Sequence, residues 1–138
     1  VTTRMVSAIS PWALHHSVLA PYCHLIPVSH GEGRVIISEE LAKQLFANGQ
    51  IFSQYTDEHY MPTMNEPDNP NGSMYAIEGM TSPDGRVLGK MGHNERTMGT
   101  GINGESTELI KNVAGFPNGG IAESSCQNIF AAGVAYFK

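Results

Sequence analysis

The sequence predicts an α/β domain, a mixed sheet with helices on its flanks. Three observations carry this. Short β-branched runs recur along the first two thirds of the chain; residues 38–48 carry both a helix start and a helix stop; and residues 124–137 close the chain with an apolar helical face. With 138 residues, 41% of them apolar and 15% charged, the chain reads as one domain spanning 1–138, large enough to bury a real core.

The elements follow in order. Residues 2–9 form a β-rich run ended by Ser10-Pro11, and Pro11-Trp12-Ala13-Leu14 fits a single helical turn or an apolar plug. Residues 24–29 and 34–37 are further strand candidates, separated by His30-Gly31-Glu32-Gly33, whose glycines permit a tight turn with positive φ. Ser38 is a good N-cap, Glu39 and Glu40 suit the first turn, Leu41, Leu45 and Phe46 make an apolar stripe, and Asn48-Gly49 ends the helix. Residues 51–56 read as a strand. Residues 57–73, with several prolines and little periodicity, read as a long functional loop. Residues 73–81 and 86–91 then pair as a hairpin around Ser82-Pro83-Asp84-Gly85. Residues 97–104 are Gly-rich, 106–113 suit a short helix, and in the last helix Ile129, Ala132, Gly133 and Tyr136 share a face. The chain opens at Val1 directly into a β-rich run, as if cut from something longer at a strand.

Composition narrows the function classes. Net charge is −5 and the cations are dispersed, which argues against a nucleic-acid partner, since phosphates demand a basic face. No apolar stretch reaches membrane-span length and no signal-peptide pattern leads the chain. Cys23 and Cys126 have neither metal spacing nor a disulfide framework, so a reducing cytoplasm is the expected location.

The segment richest in chemistry is Met91-Gly92-His93-Asn94-Glu95-Arg96. At a strand end, alternate side chains point the same way, so the Glu95 carboxylate can hold one imidazole nitrogen of His93 and leave the other free. That is the base and orienter of a nucleophilic triad; the bland alternative is a surface loop with an incidental His and Glu. The 30–34 and 69–73 loops are weighed as polar-ligand sites against plain turns. Six histidines lack metal-ligand spacing. Neither cysteine makes a convincing nucleophile: Cys23 runs straight into a strand without flanking glycines, and Cys126 falls within an amphipathic helix.

Taken in order, Ser10-Pro11-Trp12, the run from Ile26 to Arg34, Asn69-Pro70-Asn71-Gly72-Ser73, the run from Ile77 to Val87, and Met91 to Arg96 resemble the end of the glutamine amidotransferase domain of the phosphoribosylformylglycinamidine synthase family. The tail from Ile129 to Phe137 is similar to the family's last helix, so the likeness runs from about Thr3 to the end. The resemblance implies the second half of a class I, flavodoxin-like, three-layer amidotransferase domain. In such enzymes a Cys thiolate attacks the glutamine amide, a His moves the proton and a Glu orients the His; the last two fall on His93 and Glu95. Gly92 and Asn94 stand where many members carry proline. The family's Gly-flanked nucleophile lies upstream of the matching motifs, so the isolated chain is expected to be inactive. The resemblance further implies no cofactor on this chain, ATP and Mg2+ in a separate synthetase region, and as partners glutamine, the amidotransferase N-terminal half and that synthetase region. Self-association of the piece is also expected, from its severed sheet. The rival reading is a non-catalytic ligand-binding or interaction module built on the 30–34 and 69–73 loops.

Overall fold

The computed structural model describes residues 1–13, 23–94 and 129–138. Five strands, β1 (Thr2–Met5), β2 (Cys23–Leu25), β3 (Ile51–Thr56), β4 (Ile77–Thr81) and β5 (Leu88–Lys90), form one sheet in the order β2-β1-β3-β4-β5. Among the described residues, α1 (Glu39–Ala47) and α2 (Ile129–Tyr136) are α-helices. The expected α/β layering is present, but the sheet differs from the mixed one expected: every pairing among the described strands is antiparallel. The reason is the place of β1. β2 and β3, joined through α1, run in the same direction as a crossover connection requires, yet β1 lies between them and opposes both.

The central strand β3 is buried along all six residues, because each face is covered. On one face Phe52 packs with Met5, Ala13 and Ile129, flanked by Trp12 and Leu88. On the other, Ile51 packs with Val35 and Ile77, flanked by Leu45 and Phe46 of α1. The alternation of Ile51 and Phe52 thus feeds two cores, giving three layers.

Helix α1 forms as its caps dictate. The Ser38 hydroxyl accepts a bond from the Leu41 N–H at 3.2 Å, and Gly49 leaves the helix at φ +68°. Its core face is Ala42, Leu45 and Phe46; Leu41, expected in the stripe, faces solvent. In α2, Ile129, Ala132 and Gly133 are buried as expected, whereas Tyr136 is exposed and its hydroxyl accepts a bond from Arg86 Nη2 at 3.2 Å. Gly133 is required by packing: a Cβ there would lie 2.4 Å from Trp12 Cζ3. The Pro11–Ala13 segment is a single 3-10 turn, and the Trp12 indole N–H donates to the Arg86 carbonyl at 2.9 Å.

Three other expectations change. Residues 34–37 join no strand, since the Val35 N–H goes to the Ser73 hydroxyl and its carbonyl takes the Met74 N–H. Residues 70–76 form two short 3-10 turns before β4 begins. Gly31 and Gly33 stay out of the left-handed region; the positive-φ glycines among the described residues are Gly49, Gly72 and Gly85. The 57–73 loop is ordered around Asn69, fully buried, whose amide donates to the carbonyls of Thr63 and Ser73 and whose oxygen accepts the Ser73 N–H. The elements expected at 97–104 and 106–113 lie outside the described residues.

Candidate active site

The site is built on the β4–β5 hairpin. Its turn closes with the Gly85 N–H donating to the Ser82 carbonyl at 2.8 Å, Gly85 supplying φ +73°. The resulting register pairs Thr81 with Leu88, Met80 with Gly89 and Gly79 with Lys90. One step further, the Met91 N–H donates to the Glu78 carbonyl at 3.0 Å. The ladder then changes partners. The Gly92 N–H donates at 2.7 Å to Oε1 of the Glu78 side chain, Gly92 bridges Val28, and the His93 N–H donates to the Pro27 carbonyl at 2.9 Å. His93 therefore leaves the sheet from a point gripped from two sides, with its residue partly open to solvent. Glu95, expected to orient it, lies outside the described residues, as does Cys126.

Sequence reasoning missed the group behind this exit. Glu78 is 1% exposed, and its carboxylate receives Lys90 Nζ at 2.8 and 3.0 Å as well as the Ser53 hydroxyl. Both side chains of the ion pair are buried, at 0% for Glu78 and 6% for Lys90. Burial alone pushes the Glu78 carboxyl up, but the Lys90 charge and the bonds from Lys90, Ser53 and Gly92 together hold it below the ordinary glutamate range. A Cβ at Gly79 would fall 2.6 Å from Ser53 Oγ and 3.2 Å from Lys90 Cβ, so that glycine leaves the space the two side chains use. Ser53 sits where the β3–β4 register shifts, an irregularity of the kind found beside functional sites. A readable signal existed: a lone charge in the apolar strand 77–81, with a lysine one step from facing it across a predictable hairpin.

Gly92 is set here by the space it leaves rather than by its backbone conformation. It is not in the left-handed region; instead it is walled in, and a Cβ would meet Ile26 Cδ1 at 2.7 Å and Glu78 Oε1 at 2.9 Å. The missing side chain lets the strand end lie against Ile26 and the carboxylate.

The two candidate ligand loops converge on each other. Asn71, at φ 64°, sends its amide nitrogen to His30 Nδ1 at 3.1 Å and to the carbonyls of Gly31 and Gly33 at 3.2 and 3.4 Å. His30 Nε2 lies 3.3 Å from the Tyr55 hydroxyl, whose pKa burial pushes up, with the Glu78 charge adding to it. A Cβ on Gly33 would strike the His30 ring and the Met91 sulfur, so this loop packs against the strand that delivers His93. Much of its polar capacity is met internally. Among the described residues no three His, Cys, Asp or Glu side chains gather to hold a metal ion, and no helix is long and apolar enough to cross a membrane. Cys23 lies on β2 opposite Arg4 of β1.

Comparison with known proteins agrees with this architecture. Residues 1–137 match the CobB/CobQ-like glutamine amidotransferase domain family. The chain is similar to the phosphoribosylformylglycinamidine synthase subunit PurQ of Thermomicrobium roseum, 37% identical over 106 residues, covering 76% of this chain and 43% of the relative. It is also similar to PurQ of Methanococcus maripaludis strain C7, at 38% over 118 residues covering 82% and 42%, and of Salinibacter ruber, at 38% over 85 residues covering 62% and 35%. The chain thus spans less than half the length of these curated relatives. By a match that runs almost end to end, the chain belongs to the CobB/CobQ-like glutamine amidotransferase domain family.

Proposed function

We propose that this chain supplies the proton-transfer half of the glutaminase of a phosphoribosylformylglycinamidine synthase, with His93 as the acid–base group and Glu95 as its orienter. The observation that supports it most is the placement of His93 in a chain of this family: a partly open imidazole-bearing residue on a strand end held at three successive amides. A Cys thiolate supplied by the amidotransferase N-terminal half attacks the side-chain amide carbon of glutamine. Protonated His93 gives its proton to the leaving nitrogen as the carbon–nitrogen bond breaks, releasing ammonia and leaving a glutamyl thioester. Neutral His93 then takes a proton from water, the resulting hydroxide adds to the thioester carbon, and glutamate leaves as the thiolate is restored. The ammonia would serve an ATP- and Mg2+-dependent synthetase region that converts formylglycinamide ribonucleotide to formylglycinamidine ribonucleotide in cytoplasmic purine biosynthesis. The isolated chain would hydrolyse no glutamine.

The rival reading, a non-catalytic module using the His30 and Asn71 loops, is disfavoured because Asn71 bonds those loops to one another. The test is His93→Ala in the complete synthase. Glutamine-dependent turnover should fall about 10²–10⁴-fold while turnover with added ammonia is kept. A glutamine-dependent rate near wild type would overturn the assignment. Sedimentation of the isolated chain tests the companion expectation of self-association, which a clean monomer at high concentration would end. The exposed Phe130, Val134 and Phe137 of the C-terminal segment supply the apolar surface for it.

A further inference from the structure

We propose that Glu78 is a positioning residue for His93: through the Gly92 N–H its buried carboxylate fixes where the strand releases the imidazole. The inference rests on the reading of His93 as the proton carrier and asks what aims it.

Three successive amide groups lead to that side chain, and Glu78 holds two of them. Its backbone carbonyl takes the Met91 N–H at 3.0 Å and its Oε1 takes the Gly92 N–H at 2.7 Å, while Pro27 takes the His93 N–H at 2.9 Å. The Gly92 bond is the only one of the three made by a side chain, and its length is that of a charge-assisted hydrogen bond. Oε1 also carries Lys90 at 2.8 Å, and Oε2 carries Lys90 at 3.0 Å and the Ser53 hydroxyl. The lysine keeps the carboxylate ionised and the serine fills its second oxygen, so the carboxylate is immobilised against β3, β4 and β5 together.

Stability alone does not account for such a group. A buried ion pair usually gains little over apolar side chains of the same volume, because both charges must be stripped of water. What an apolar pair cannot do is accept a hydrogen bond from Gly92. Gly92 in turn has no Cβ, which admits the carboxylate oxygen where a methyl group would stand 2.9 Å from it. Catalytic groups tolerate little displacement: an error of about 1 Å can cost on the order of 10²-fold in rate. Releasing Gly92 leaves its N–H without an acceptor and the residue before His93 held only through the amides on either side of it.

The experiment compares two double variants and one single variant in the complete synthase, using steady-state glutamine hydrolysis and thermal unfolding. Glu78→Met with Lys90→Met removes the ion pair and the acceptor for Gly92. Glu78→Gln with Lys90→Met removes the same charges but keeps an amide oxygen for that N–H. The first should lose kcat by roughly ten- to hundredfold with KM held within about twofold, and the second should recover most of that loss. Glu78→Asp keeps the charge but draws it back by one methylene, so it should mimic the first pair even if that variant folds poorly. Wild-type kcat in the first pair, equal losses in both pairs, a loss expressed in KM, or an unimpaired Glu78→Asp would each overturn the positioning role. His93→Ala serves as the separate control. If it stays active the acid–base reading fails, whereas if it is dead and the Glu78 variants are normal only the present inference fails.

Discussion

Replacing Lys90 by methionine should be among the most damaging single changes in the described structure. The reason is where the charges lie. An exposed ion pair contributes about 0–1 kcal/mol, and the Lys43–Glu39 pair of α1, with both partners largely in solvent, belongs to that regime. The Lys90–Glu78 pair is at 6% and 0% exposure, so removing the lysine strands a carboxylate that cannot recover its hydration. Breaking such a pair costs about 3–5 kcal/mol, roughly 10²- to 5 × 10³-fold in the folding constant. For 138 residues the unfolding entropy is about 0.3 kcal/mol/K, so the melting temperature should fall by about 10–17 °C. Urea titration followed by the fluorescence of Trp12, the one tryptophan, measures the free energy. The pH dependence supplies a second check. In the native protein the Glu78 carboxyl is depressed, so its stabilisation is complete above the unfolded glutamate value of about 4.3 and fades as pH falls through the folded value. Without Lys90, burial is the largest influence left and pushes the carboxyl up, so the variant regains stability on protonation. The gap between variant and wild type should therefore narrow as pH falls from 7 toward 4. Adding Glu78→Met should restore most of the lost stability. A loss under about 1 kcal/mol, a gap that widens in acid, or a double variant no better than the single one would refute the reasoning.

Two further changes test the packing around the site. Asn69→Ala deletes a buried amide that makes three hydrogen bonds to Thr63 and Ser73, leaving their backbone groups unpaired. It should cost about 3 kcal/mol and open the 57–73 loop to limited proteolysis, and an equally resistant loop would show that Asn69 does not hold it. Gly133→Ala drives a methyl into the Trp12 ring, which a Cβ would approach to 2.4 Å, so α2 should lose about 1–3 kcal/mol by denaturant titration and the Trp12 emission should shift; unchanged emission would mean that the helix does not rest there.

The helix at 38–48, the strand at 51–56 and the hairpin turn were legible because each is decided locally. A serine cap, an alternation of two apolar faces and a Pro-Asp-Gly turn act over a few residues, and each appears where expected. Residues 34–37 misled for the converse reason. Val35-Ile36-Ile37 has ideal strand composition, but the Ser73 hydroxyl, far along the chain, takes the amide that a neighbouring strand would need. The surface face of Leu41 and Tyr136 has the same origin: a helical stripe marks a set of side chains, and only the packed partner decides its edge. At the site, His93 was visible as a residue type following a glycine. Its support was not, since Ser53, Glu78 and Lys90 come from three strands and Gly92 from the segment after the last, and they meet only once β4 has folded back on β5 and beside β3.

The complete burial of β3, flanked by β1 and β4 and roofed on both faces, has a consequence for how the domain breathes. Its amides reach deuterium only when a neighbouring strand and a whole layer have lifted away, so residues 51–56 should exchange at the rate of global opening. The short outer strand β5, three residues long, can fray without disturbing that centre. At this end of the sheet, local opening therefore falls on the rim that carries His93, while the middle of the sheet stays shut.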